Sequence, residues 1–226
     1  MIKIGVARSV GVTLVPARMY DAAVSLARLE SFCGALGTKL GVRVSPVQTR
    51  SYAELSLPMD RGDVDFAWLP PFVAFKAVRS GKARPLLAPV RGGSTSFFAA
   101  LFVAQSSKLQ SASELAGSRA AWVDRESAAG YRVVRAALKA QGYQLDGLFV
   151  YESFEGSHQA VVQAVMEGTA DVGATYVHRD PNRQLLFAGW GDAELARSSS
   201  MVRSLRTCWR RRRGWRTWWS IRWCAR

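Results

Sequence analysis

The chain has 226 residues, 49% hydrophobic and 21% charged, which suits one ordinary domain or two small α/β lobes and excludes a disordered chain. A net charge of +14 points first to nucleic acid or a membrane surface, but ten Arg and no acid lie within residues 197–226, so only +4 belongs to residues 1–196. No nucleic-acid partner is therefore expected for the body, and three Cys without CxxC or metal-ligand spacing exclude a disulfide framework and a zinc site, with no cofactor expected.

In chain order, Ile2, Ile4 and Val6 begin a strand, so the amino terminus does not read as a secretory signal. No run approaches the ~20 apolar residues that span a bilayer, and as written the chain is expected in the cytoplasm. Ala22, Leu26, Leu29, Cys33, Leu36 and Leu40 share one helical face, with Cys33 a small core residue, and Gly37 and Gly41 punctuate its end. Residues 42–47 form a second strand, and a short helix holds Tyr52, Leu55 and Leu57. Residues 62–69 are a turn running into a buried strand, then Pro70 and Pro71 open a helix over 72–80. Leu86 and Leu87 begin another strand. The apolar run 97–103 reads as a strand covered on both faces, and Ser111-x-x-Glu114 is a capping box. A strand over 120–123, a helix from Ser127 with Val134 and Leu138 on its apolar face, a strand over 149–151, a helix capped by Ser157, and a strand over 171–175 complete the pattern.

Strands alternating with helices predict an α/β fold with largely parallel sheets. No internal repeat stands out. A crossing between lobes is expected at 89–96, where Gly92, Gly93, Ser94, Thr95 and Ser96 cluster. From about residue 196 neither strand nor helix periodicity continues, and the tail holds five of the eight Trp.

Two segments could bind an anion. In 123–131 a strand ends in small residues and a helix begins at Ser127, so unpaired backbone N–H groups would meet a ligand there; an ordinary Ser cap is the alternative. In 154–162 another helix begins at Ser157 and His158, where the His is either a donor or a half-buried structural residue. Tyr52, Trp68 and Tyr176 sit at element ends, where ligands of open α/β sheets bind, but such aromatics also fill cores. There is no GxSxG, HExxH or Walker loop, and the Asp63/Asp65 pair belongs to a turn, so no enzyme is indicated.

Taken in order, Gly62-Asp63-Val64-Asp65-Phe66-Ala67-Trp68-Leu69-Pro70-Pro71, the turn from Asp124 to Tyr131, Gly156-Ser157-His158-Gln159-Ala160-Val161 and Gly168-Thr169-Ala170-Asp171-Val172-Gly173-Ala174 resemble the phosphate/phosphite/phosphonate-binding proteins of ABC transporters. The resemblance covers roughly residues 2–192. It implies a type II periplasmic-binding fold, two α/β lobes closing on an oxyanion, delivery to a membrane permease, and a periplasmic or membrane-anchored location. Carried onto this chain, the ligand-binding set is Ser127, with the N–H groups of Ala128 and Ala129, His158, Tyr52, Trp68, Phe97 and Tyr176. The lobes would be 1–92 and 93–185, with 186–196 starting a return to the first lobe and 197–226 an aberrant tail.

Two departures stand out. The family usually places hydroxyl residues where Ala128 and Ala129 stand, and a Tyr where Phe97 aligns, so the ligand is expected to be larger or less polar. The Arg/Trp tail replaces the return and reads as a shifted reading frame; a genuine cationic segment binding lipid or nucleic acid is the competing view. The alternatives for function are a cytoplasmic ligand-sensing module on the same fold or an enzyme related to the thiamine-precursor synthases.

Overall fold

A computed structural model describes residues 1–7, 22–88, 90, 95, 97–179, 185–190, 195–196, 206–211 and 219–224. The first lobe is a parallel sheet in the order β2-β1-β3, formed by β1 (Ile2–Ala7), β2 (Val44–Thr49) and β3 (Phe66–Trp68). Helix α1 (Ala22–Leu40) precedes β2 and buries Leu29 and Cys33 against the sheet, with Leu36 packed beside them. The outer members of its predicted stripe, Leu26 and Leu40, stay exposed. Helix α2 (Tyr52–Asp60) leads into β3, and α3 (Pro71–Arg79) follows with Pro in its first turn, where the missing N–H costs nothing.

The second lobe is built on β4 (Phe98–Ala104), β5 (Ser118–Trp122), β6 (Phe149–Phe154) and β7 (Val172–Arg179), in the order β6-β5-β7-β4. β5 runs parallel to β6 and β7, and β4 pairs antiparallel with β7. The continuous apolar run of β4 has its cause in two cores: Leu101 and Val103 pack on one side with Trp122, Val134 and Leu138, while Phe102 packs on the other with Val123, Val161 and Val165. Helix α4 (Val133–Ala140) covers the first side and α5 (His158–Met166) the second.

Several expectations are corrected. Leu86 and Leu87 do not begin a strand: residues 83–88 are irregular, the two leucines stand between Pro85 and Pro89 in sequence, and Leu87 is almost fully exposed. The expected return over 186–196 does not begin there either. β8 (Leu185–Ala188) pairs with β7, and β9 (Leu195–Ala196) with β4, extending the second-lobe sheet. The tail, read as aperiodic, contains an antiparallel pair, β10 (Arg206–Arg211) with β11 (Trp219–Cys224), whose Trp, Thr and Ile are strand-forming types. Most of the predicted crossing at 89–96 lies outside the described residues.

A repeat does exist. In the first lobe the Ser51 hydroxyl caps α2 by accepting the Glu54 N–H (3.1 Å), Gly62 turns the chain with φ +72°, and Asp65 exchanges bonds with Lys3, accepting its N–H (2.8 Å) and donating its own N–H to the Lys3 carbonyl (3.0 Å). In the second, Ser157 accepts the Ala160 N–H (3.1 Å), Gly168 turns with φ +71°, and Asp171 accepts the Arg119 N–H (2.8 Å) while donating to its carbonyl (2.9 Å). Residues 51, 62 and 65 correspond to 157, 168 and 171 at one constant offset of 106. The strand order β2-β1-β3 likewise matches β6-β5-β7.

Candidate anion-binding site

The carboxyl end of β5 leads into a turn stabilised from within. The Ser127 N–H donates to the Asp124 carbonyl (2.9 Å), and the Glu126 N–H to Asp124 Oδ1 (2.7 Å). Ser127 has extended backbone angles (φ −65°, ψ 126°), and its Oγ accepts the Gly130 N–H (3.1 Å). The helical run that follows, 128–140, starts with a wide turn over Ala128–Arg132, in which the Arg132 N–H reaches back five residues to the Ser127 carbonyl (3.0 Å). As first residues of that run, Ala128 and Ala129 have no helical acceptor for their N–H groups, and such wide turns recur at functional sites. Both residues are buried, beside a Ser127 that is equally buried. Gly130 is required by close approach: a Cβ there would lie 2.6 Å from Val123 Cβ and 2.9 Å from Ser127 Oγ.

The exit of β6 is stitched to this turn. The N–H groups of Glu155 and Gly156 donate to the carbonyls of Trp122 and Val123, each at 2.8 Å. Ser157 then caps α5, and His158 is its first residue. The His158 ring is buried; Nδ1 lies 2.9 Å from Thr175 Oγ1 on β7, and the ring meets Tyr176 edge-on at 4.9 Å between centroids. Burial pulls its pKa down to about 3, so the imidazole is neutral. Tyr176 continues to His178, two residues on along β7, at 5.8 Å, and His178 to Phe97 at 6.2 Å.

The first lobe reaches the same edge through α3. Lys76 Nζ lies 3.2 and 3.1 Å from the two carboxylate oxygens of Glu126, which also accepts from Arg132 Nη2 (2.5 Å). The Arg132 guanidinium stands 5.8 Å from the centre of the Phe72 ring. Phe72, Phe97 and Tyr176 are half-buried and pack on the core cluster that contains Ala128 and Ala129.

Of the residues singled out from sequence, Ser127, Ala128, Ala129, His158, Tyr176 and Phe97 thus gather at one edge of the second lobe, where β5, β6 and β7 end. Tyr52 opens α2 and is buried in the first-lobe core; Trp68 ends β3, half-buried against that core. Glu126, Lys76, Phe72, Thr175, His178 and Gly130 were not singled out as site residues. Only the two-residue spacing of Tyr176 and His178 on a strand could have signalled a shared face. Among the described residues no group of His, Cys, Asp and Glu could hold a metal ion, and no helix is long and apolar enough to cross a membrane.

The family model of the phosphonate ABC transporter periplasmic substrate-binding proteins matches residues 14–181. The chain belongs to this family. Among solved structures, the binding-protein component of a phosphonate ABC transporter from Pseudomonas aeruginosa is similar at 16% identity and TM-score 0.64, over 83% of this chain and 64% of that one. PhnD1 from Prochlorococcus marinus, in complex with methylphosphonate, is similar at 20% identity and TM-score 0.61, over 76% of this chain and 62% of that one. A Xanthomonas citri protein bound to chloride ion follows at 22% and 0.54. These likenesses give the binding-protein fold its type II periplasmic assignment. The chain spans less than two thirds of the length of the first two relatives.

Proposed function

We propose that this binding protein holds a tetrahedral oxyanion, a phosphonate, phosphite or phosphate, in the cleft between its lobes and presents it to an ABC permease outside the cytoplasmic membrane. The observation that carries this reading is the buried helix start at Ser127–Ala129, set where three strand ends, His158 and the first-lobe helix α3 converge. Helix N-termini offer N–H donors and a partial positive charge without a formal cation. The Ser127 hydroxyl, whose oxygen already accepts from Gly130, has a hydrogen to donate as well. In the tautomer in which the Thr175 hydroxyl donates to Nδ1 of His158, Nε2 carries the ring proton and serves as a further donor. Trp68, at the carboxyl end of β3, would be the first-lobe side of the same cleft, whereas Tyr52 is held in the first-lobe core.

The test removes one N–H without disturbing the helix. Pro is at home in a first helical turn, and the extended ψ of 126° at Ser127 is what a residue before Pro adopts. In Ala128→Pro, titration calorimetry with methylphosphonate and phosphate is expected to show at least tenfold weaker binding with an unchanged circular dichroism spectrum. Unchanged affinity, or no binding by the parent chain, overturns the reading.

A further inference from the structure

We infer that the ligand carries an apolar, flat substituent on its oxyanion head, phenylphosphonate being the simplest of the class, and that inorganic phosphate is a poor ligand; the inference rests on the site proposed above. The walls beside the helix start supply few polar partners. Methyl groups occupy positions 128 and 129, and the half-buried rings of Phe72, Phe97 and Tyr176 pack on the same cluster as those two alanines. A bare phosphate, hydrated on all four oxygens, would bring at least one of them against this surface, where lost water bonds are not replaced. A substituent in that place loses no hydrogen bonds and covers the rings instead.

Charge does not discriminate between these ligands, since phosphonates and phosphate alike lose their second proton near neutral pH. Among the described residues around the turn the cations are already matched. Lys76 and Arg132 share the Glu126 carboxylate, Arg135 Nη1 lies 2.5 Å from Glu152 Oε2, and Arg125 stacks 4.5 Å from the centre of the Phe154 ring. A doubly charged head would have to draw Lys76 or Arg132 away from Glu126, leaving that carboxylate with one cationic partner instead of two. Selectivity would therefore come from the substituent, with the helix start holding the head.

The experiment is calorimetric titration of the full chain at pH 7 with phenylphosphonate, methylphosphonate and phosphate. Phenylphosphonate is expected to bind at least tenfold more tightly than phosphate, with methylphosphonate between them. The double variant Ala128→Ser/Phe97→Tyr, which supplies two hydroxyls, is expected to narrow that gap to under threefold. Phosphate binding as tight as phenylphosphonate in the parent chain overturns this inference and leaves the oxyanion reading standing. Heat from none of the three overturns both.

Discussion

In the first lobe the helix after β2 begins Ser51-Tyr52; in the second the helix after β6 begins Ser157-His158. Both serines cap with their hydroxyls, both helices run nine residues, and both end in a left-handed Gly followed three residues later by an Asp that clamps the neighbouring parallel strand. The skeleton is therefore common, and the lobes differ in what is attached to it. Tyr52 lies in the first-lobe core, where His158 instead is bonded to Thr175 and held neutral. Asp65 accepts only a backbone N–H from Lys3, whereas Asp171 also accepts from the Arg119 guanidinium at 2.6 and 3.0 Å. Ala67 stands where the second lobe has Gly173. Because β7 is flanked by strands on both sides and covered by two cores, it tolerates less bulk than the edge strand β3.

The largest expected effect separates His158 from Tyr52. A neutral buried imidazole with a pKa of about 3 stays unprotonated in acid, while the unfolded chain takes up a proton below about 6.5. Its contribution is complete above that value and falls by about 1.4 kcal/mol per pH unit as the pH drops toward 3. Urea unfolding between pH 7 and pH 4 should show this slope, and His158→Gln should flatten it. A variant curve parallel to the parent's would refute the assignment, and Tyr52→Phe should leave the slope intact.

Next in size is the packing contrast. A Cβ on Gly173 would lie 2.7 Å from Phe102 Cζ and 2.8 Å from Val161 Cγ1, both fully buried in one core. Gly173→Ala should cost about 1–3 kcal/mol by overpacking. The reciprocal Ala67→Gly should cost only about 0.5–1 kcal/mol, through backbone entropy. Equal losses, measured by denaturant midpoint, would show that the lobes pack alike at this position.

The clamps give the smallest difference. The Arg119 guanidinium hydrogen-bonded to Asp171 holds its carboxyl below the usual range, although both side chains are more than a third exposed and solvent screening reduces the stabilisation. Asp171→Asn is expected to cost about 1 kcal/mol, and Asp65→Asn about half that. The pH window distinguishes this contribution from that of His158. The depressed carboxyl stabilises fully above its unfolded value of about 3.9 and its contribution is lost only as pH falls further, so Asp171→Asn should lower stability evenly above about pH 4 and approach the parent only in the acid limb below it.

The helix caps at Ser111, Ser127 and Ser157, the Gly turns, and the doubly covered strand β4 were legible in the sequence because each depends on residues within a few positions or on one strand's alternation. The repeat was not legible, since the shared cap, turn and clamp are carried by three widely spaced residues while the intervening side chains differ. The misplaced strand at Leu86 had the apolar residues but no partner between its flanking prolines.

By itself, then, the sequence determined the order of strands and helices through β7, the misplaced strand at Leu86 apart, together with the polar helix starts at Ser111, Ser127 and Ser157 and the small-residue turn at 127–129, all set by local hydrogen bonding and periodicity. Only the tertiary structure decided that β8 and β9 join the second-lobe sheet, that Thr175 fixes the His158 ring, and that Lys76 of the first lobe meets Glu126 beside the turn. Apart from the short β7–β8 pairing, those contacts join residues 17 to 93 positions apart, and what selects them is the shared core and the pairing of strands, which no local pattern encodes.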